Sequence, residues 1–274
     1  MSSAKTGSRG SLLHFLVQTA NQRQLILSLA RRDLVAQYAG SFLGLVWTFI
    51  HPLVLIFVFW FVFSVGFKAK PMGEVPFVVW LTAGMMPWFL FADILSSSAG
   101  IVVIHTNLIK KTLFPAQILP LVRVVVALVT HAVFLVLLLV LLFLQHLEFT
   151  PYFLQFFYYV LCATMLALGF SWLVAALHVF IRDVAPMVGI VLQLGFWVTP
   201  IFWDIKMMPE KVQLVLKLNP MFYVVQGYRD SFIGTTGFWQ HPVWTIYFWL
   251  VTLAALLAGM YVFDRLRPQF ADVL

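Results

Sequence analysis

Asp93 is the residue whose type and place most invite chemistry, because it is a carboxylate deep in the apolar run 76–101. A charge at the centre of a membrane helix costs about 2.5–3.5 kcal/mol on insertion scales, so such a group faces protein or a water path. One reading makes Asp93 a gate or a proton relay. The other places it near the inner interface, solvated beside Ser96, Ser97 and Ser98. The second is preferred, since proton-coupled transport calls for more than one buried acid. Seven histidines are scattered, and besides His51 only His131 and His178 lie within apolar runs. Neither has a second ligand at helical spacing, so each reads as a polar side chain bonded across a helix interface.

Catalytic patterns are missing. There is no G-x-x-x-x-G-K-[ST] loop to cradle nucleotide phosphates, no H-E-x-x-H, no Cys/His cluster and no G-x-S-x-G. Cys162 is the single cysteine, which excludes an internal disulfide and a cysteine metal site within one chain. Aromatic residues are dense instead, with Trp47, Phe49, Phe57, Phe59, Trp60, Phe61 and Phe63 in one run. Their ordinary meaning is lipid contact and an interfacial belt. Rings can also line a passage for sugars, whose apolar C–H faces pack on aromatic planes.

The charged stretch HTNLIKKTLFPAQILP, residues 105–120, sets Lys110 beside Lys111. Asn107 is a good N-cap for a helix over 108–113, and Pro115 disfavours the α conformation at Phe114, which stops it. The result is about 10 Å of stiff helix at about 1.5 Å per residue. Its two lysines point about 100° apart, given about 3.6 residues per turn. By charge alone they mark topology. A bounded, rigid helix adds a handle that a partner can push.

The elements that must position these residues follow from composition. The chain has 274 residues, 62% hydrophobic and 10% charged, with a mean hydropathy of +0.98. Soluble chains carry about 25% charged residues, so this is an integral membrane protein. Its net charge of +7 reads as basic cytoplasmic loops beside anionic lipid, not as a nucleic-acid surface. The first forty residues hold five Lys/Arg and no apolar stretch followed by a cleavage site, so no removable signal peptide is expected.

Six apolar runs cover about 42–66, 76–101, 121–145, 152–180, 186–203 and 243–263, each able to cross about 30 Å of hydrocarbon. The fifth is the shortest and is broken by Thr199-Pro200. With both termini inside, the inner segments hold eleven Lys/Arg, Arg123 among them, and the outer loops six, Arg229 among them, as the positive-inside rule requires. Arg123 is expected to snorkel inward. Before the first run, Leu27, Ala30, Leu34 and Tyr38 share one helical face, with Arg23, Arg31, Arg32 and Asp33 beside or opposite it. This predicts an amphipathic basic helix in the inner headgroup layer. The loop 204–242 is too apolar for a solvated linker. Pro209 and Asn219-Pro220 start two short helices in it and Gly234 stops the second; both are expected to dip into the outer leaflet.

Several stretches then converge: RRDLVAQYAGSFLGLVWTFIHPL (31–53), LTAGMMPWFLFADILSSS, NLIKKTLFPAQILP (107–120), VFIRDV (179–184), VTPIFW (198–203), LNPMFYVVQGYRD (218–230) and RLRPQFADVL (265–274). Their joint order resembles the permease subunit of type-2 ATP-binding-cassette exporters, in particular those moving O-antigen, capsular or teichoic-acid polysaccharides. The resemblance covers residues 20–274, and RLRPQFADVL looks closer to the O-antigen and teichoic-acid branch.

The fold it implies is an all-α integral membrane protein. Residues 1–40 form a cytoplasmic tail and amphipathic interface helix, 41–264 a six-span transmembrane domain with short re-entrant outer helices between spans 5 and 6, and 265–274 a cytoplasmic tail. It further implies a homodimer in the bacterial inner membrane, both termini cytoplasmic, with two copies of a separate nucleotide-binding ATPase. That partner binds ATP and Mg²⁺, so this chain holds no cofactor and is not itself an enzyme. Facing the ATPase would be Arg31, Arg32 and Asp33; Asn107, Leu108, Lys110, Lys111, Phe114 and Pro115; and Arg182 and Asp183. A lipid-linked polysaccharide would pass between the subunits along Trp47, Phe59, Trp60, Trp88, Trp197 and Tyr223.

A permease of the same class for drugs or small lipids is the nearest rival. A secondary transporter predicts several intramembrane acids or related halves, and the sequence shows one acid and no evident repeat. A membrane enzyme predicts clustered acids or a nucleophile–base pair, and the sequence offers neither.

Overall fold

A computed structural model describes residues 21–38, 42–68, 75–111, 114–148, 150–234 and 236–274. The tail 1–20 and Lys70 of the topology reading lie outside the described residues. Apolar side chains leave no partner for backbone groups except the backbone itself, and the described chain is helical with no strand. Helix α1 spans Arg23–Tyr38 and α2 spans Trp47–Trp60, continuing as a π-helical turn Phe61–Gly66. Gly44 takes the left-handed φ of +50° between them, a conformation that Gly adopts without steric cost. Next come α3 (Phe77–Ala99), the short α4 (Ile101–Ile104) and α5 (Thr106–Lys111), α6 (Leu119–Leu144) and α7 (Gln155–Phe180). The order ends with α8 (Val184–Val198), α9 (Glu210–Lys217), α10 (Pro220–Phe232), α11 (Pro242–Leu266) and α12 (Phe270–Val273).

Among the described residues, five segments are long and apolar enough to cross a membrane: Trp47–Gly66, Phe77–Ala99, Ala116–Leu144, Pro151–Phe180 and Pro242–Val273. The fifth expected run departs from its predicted extent. Helix α8 has 15 residues, a rise of about 22 Å, and stops at Val198 because Thr199 turns extended, with ψ 131°. Pro200 accounts for the stop, since a residue before proline is pushed out of the α region.

Helix α3 is the hub. Its Leu81, Ala83, Met85, Met86 and Ile94 are buried, and it packs on α6, α7, α8 and α10. The most extensive pairing joins α7 to α11, and small residues make it possible. A Cβ on Gly169 would lie 2.7 Å from the Ala255 backbone carbon, and one on Gly259 would overlap the Gly169 carbonyl. Close approach of backbones at small residues is how membrane helices gain van der Waals contact without help from water.

Helix α1 buries Ile26, Leu29 and Ala30 against Ile118, Val122 and Val126, with Leu34 partly buried beside them. The predicted face was therefore rotated. Ala30 and Leu34 lie on it, but Leu27 is 58% exposed and the Tyr38 side chain lies outside the described residues. The side chains of α6, not the helix's own periodicity, choose the face. Because nothing can shift to admit a branched side chain between α7 and α11, Gly259→Leu is expected to cost about 1–3 kcal/mol. The loss would be read as a lowered thermal midpoint of the detergent-solubilised protein, with Gly189→Leu, where a Cβ meets open space, nearly silent.

Candidate functional site

One carboxylate ties together the pole of the bundle where α1, α5 and α12 gather. Asp33 Oδ1 lies 3.7 Å from His105 Nε2, and Oδ2 lies 3.6 Å from Arg123 Nη1. Arg123 Nε also donates to the Ser97 carbonyl at 3.4 Å, near the end of α3. Asp33, His105 and Arg123 are all largely shielded from solvent, whereas Arg32, 4.0 Å from Asp33, has a side chain 56% exposed. The Asp33 carboxylate thus links α1 to the α4–α5 joint and to α6, and reaches α3 through Arg123. Arg123 does not snorkel freely to the interface as expected, because a buried partner is in reach. The signal was in the sequence: Asp33 follows Ile26, Leu29 and Ala30 at helical spacing, which sets it on the buried face.

The short helix α5 starts one residue earlier than its predicted cap. Asn107 is exposed inside the helix, and it is the His105 carbonyl that accepts from the Leu108 and Ile109 amides at 3.0 and 3.2 Å. Residues 112 and 113 lie outside the described residues, as does the Lys111 side chain. Leu108 packs towards α1 and α6, Ile109 towards α7, α11 and α12, and Phe114 touches both groups. Pro115 follows, with φ −77° and ψ 76°. Lys110 is exposed at this pole, as are Arg31 and Arg32 of α1 and Arg182 and Asp183 in the turn before α8. The structure brings this set to one end and leaves its charges facing outward, Asp33 excepted.

The aromatic set divides. Phe59 stacks on Phe63 at 6.3 Å and meets Phe196 edge-on at 5.5 Å, while Trp60 lies 5.9 Å from Phe57. Trp47 and Trp197 are about half exposed, and the apolar faces of α2 and α8 around them are open, with Phe57, Phe61, Ile190 and Leu194 uncovered. Trp88 and Tyr223 sit inside the helix bundle. Trp88 is 5% exposed and 6.2 Å from Phe196. Tyr223 stacks on Phe248 at 5.0 Å, and its hydroxyl pairs with Tyr158 at 3.1 Å and Thr245 at 2.9 Å. Asp93 lines a half-open recess of about 590 Å³ in which Gln37, His51, Ser96 and Thr130 sit among mostly apolar neighbours such as Trp47, Leu55 and Phe134. His131 bonds across a helix interface, Nε2 to the Tyr228 hydroxyl at 3.0 Å. His178 does not: its Nδ1 has no partner among the described residues.

At the opposite pole α10 is inserted between the ends of α3, α7 and α11. Asn219 caps it, accepting from the Met221 amide at 3.0 Å and donating to Thr199 Oγ1 at 2.8 Å. Arg229, which charge counting assigned to an outer loop, is 4% exposed. Its Nη1 donates to the Pro200 carbonyl at 2.8 Å and its Nη2 to the Ile201 carbonyl at 2.6 Å, with the guanidinium carbon 3.5 Å from the Trp80 ring centroid. Burial lowers its pKa to about 9, while Asp204 and Asp230 oppose the shift. A Cβ on Gly84 would come within 2.6 Å of Nη2, so the cation also fixes what α3 can carry. The helix α9 beside it differs: Leu214 and Val215 are 60% and 66% exposed, so only the second of the two predicted short helices is built into the bundle.

Two outcomes follow from these geometries. Arg229→Met is expected to lower stability by about 1–3 kcal/mol for each carbonyl stripped of its donor, with Gln226→Met, at a partly exposed position, as the mild control in a melting assay. Asp33→Ala and Arg123→Ala are expected to be non-additive, with a coupling of about 0.5–3 kcal/mol in a double-mutant cycle on the purified protein.

Comparison with known proteins identifies the family. Residues 24–233 match the ABC-2 type transporter family. O-antigen export system permease protein RfbA of Myxococcus xanthus is 30% identical over 252 residues, 91% of this chain and 95% of the relative. The Klebsiella pneumoniae protein of the same name is 27% identical over 254 residues, again 91% and 95%. Polysialic acid transport protein KpsM of Escherichia coli is 21% identical over 254 residues, 90% and 95%. With the match spanning α1 to α10, this chain belongs to the ABC-2 type transporter membrane family.

Proposed function

We propose that this chain is the channel-forming permease of an ATP-driven exporter that moves a lipid-linked polysaccharide, of O-antigen type, across the bacterial inner membrane. The observation that carries the reading is the similarity along nine-tenths of the chain to proteins named as O-antigen export permeases. In this reading two copies pair in the membrane, each with six spans, α8 completing the fifth with the segment after Thr199. The open aromatic faces of α2 and α8 supply the pairing surface and the path, with Trp47, Phe59, Trp60 and Trp197 towards the polymer and Trp88 and Tyr223 backing them. Both termini are cytoplasmic, α1 lies in the inner headgroup layer, and α9 and α10 are re-entrant on the outer side.

Two copies of a separate ATPase, which binds the ATP and Mg²⁺, bear on the Asp33 pole. Helix α5 is the handle. Leu108 and Ile109 anchor it on opposite sides while Lys110 stays exposed, so a push on it reaches α1 and α6 on one side and α7 and α11 on the other. Arg31, Arg32, Arg182 and Asp183 offer charge around it. Asp33 acts from beneath, holding α1 against α6.

The test is reconstitution with the cognate ATPase in proteoliposomes loaded with lipid-linked glycan. ATP-dependent glycan translocation is expected; transport of small lipids or drugs with none of glycan would assign the chain to the rival class. Lys110→Glu with Lys111→Glu is expected to insert normally yet weaken ATPase co-purification and export several-fold. Normal export by that double variant would remove α5 as the handle. Trp60→Ala is expected to reduce polymer-stimulated ATP hydrolysis, and an unchanged rate would leave Trp60 as a lipid-facing residue.

A further inference from the structure

The C-terminal segment is docked under the short helix α5. After α11 the chain makes one tight turn, Arg267–Gln269, and then the four-residue α12. A helix that short has no stability of its own, since nucleation costs more than one turn returns. Its order therefore comes from what it touches. Phe270 is fully buried, 5.4 Å from Phe263 of α11 and 6.1 Å from Phe180, the last residue of α7. It shares its cluster with Ile101 and Val102 of α4, and Ile109 of α5, Phe114 and Leu274 pack against that cluster. Helix α12 lies against α5 itself.

A polar tie reinforces the apolar one. Arg267 Nη1 donates to Gln117 Oε1 at 3.0 Å, and the Gln117 carbonyl accepts from Trp172 Nε1 at 3.0 Å. The tail is thus fastened on both sides of the 112–113 segment, to α5 before it and to Gln117 after it. Helix α5, with six residues, is as short of intrinsic stability as α12. Leu108 holds it on the α1–α6 side. On the other side Ile109 rests on the cluster that Phe270 fills.

We propose that Arg267–Leu274 is a positioning element that holds α5 in register with the ends of α7 and α11, so that force applied to α5 is passed to the spans. The inference rests on the reading of α5 as the ATPase handle. Without Phe270, α5 loses part of its seat on the Ile109 side and yields locally when pushed. ATP is then hydrolysed with less transport per turnover, which mere loss of stability would not produce.

The test uses the full chain in nanodiscs, with and without its ATPase, in a Cys162→Ala background carrying a spin label at Thr106→Cys, on α5 but outside the residues assigned to the ATPase. Phe270→Ala is expected to raise label mobility in the assembled protein and to lower glycan moved per ATP hydrolysed at least threefold, with Phe270→Leu restoring both. Unchanged mobility in folded, assembled Phe270→Ala overturns the docking, and raised mobility with an unchanged transport ratio overturns the positioning role. If Phe270→Ala does not assemble, Arg267→Ala takes its place, expected to act in the same direction at smaller size, and the same two outcomes overturn the proposal. Should the parent chain bind no ATPase at all, the handle reading fails, while label mobility on the chain alone still decides whether the tail positions α5.

Discussion

Backbone groups in an apolar medium must find partners inside the molecule, and the polar features of this chain cluster where helices stop doing that job. Helix α8 ends at Val198, and the carbonyls of Pro200 and Ile201 beyond it are taken up by Arg229. Asn219 starts α10 and holds Thr199 in the same gesture. At the other pole the joint between α4 and α5 falls at His105, whose Nε2 lies 3.7 Å from Asp33 Oδ1. Away from these breaks the bundle is held mainly by packing, with α3 as hub and the α7–α11 seam closed by glycine, and by a few bonds such as that of His131 to Tyr228.

The two poles are built differently, and the difference suits the proposed exporter. Around Arg229 the cation is locked by two carbonyls and a ring, a rigid arrangement at the end of a broken helix. Around Asp33 the contacts are longer, 3.6 and 3.7 Å, and they join separate small elements. Those elements, α1, α5 and α12, bear on the spans through a few side chains each: Ile26 and Leu29, Leu108 and Ile109, Phe270. Such a pole can pass a displacement inward as a unit while the far pole stays braced.

Much of this was legible in order along the chain. Long apolar runs announced the helices because nothing else satisfies a backbone in lipid. Pro220 after Asn219 announced α10, and it starts there. The short helix before Pro115 was legible too, although its cap was misplaced: His105 joins it to α4, and an Asn two residues on cannot cap a helix already begun. Leu27 was assigned to the wrong face of α1, since four apolar residues at helical spacing admit more than one stripe. Arg229 counts among the outer-loop charges, because a tally of charges along the chain carries no mark of burial.

Composition and periodicity by themselves determined a helical membrane protein, the number of long spans to within the broken fifth, and the places where the chain must turn. Those properties depend on neighbours within one helix, and a linear pattern records them. Only the tertiary structure decided which distant groups the polar side chains meet. Asp33 with Arg123, Arg229 with Pro200 and Ile201, and Arg267 with Gln117 are separated by 28 to 150 positions along the chain. Each pairing exists because packing of other elements carries the two groups within reach, and no local spacing encodes that.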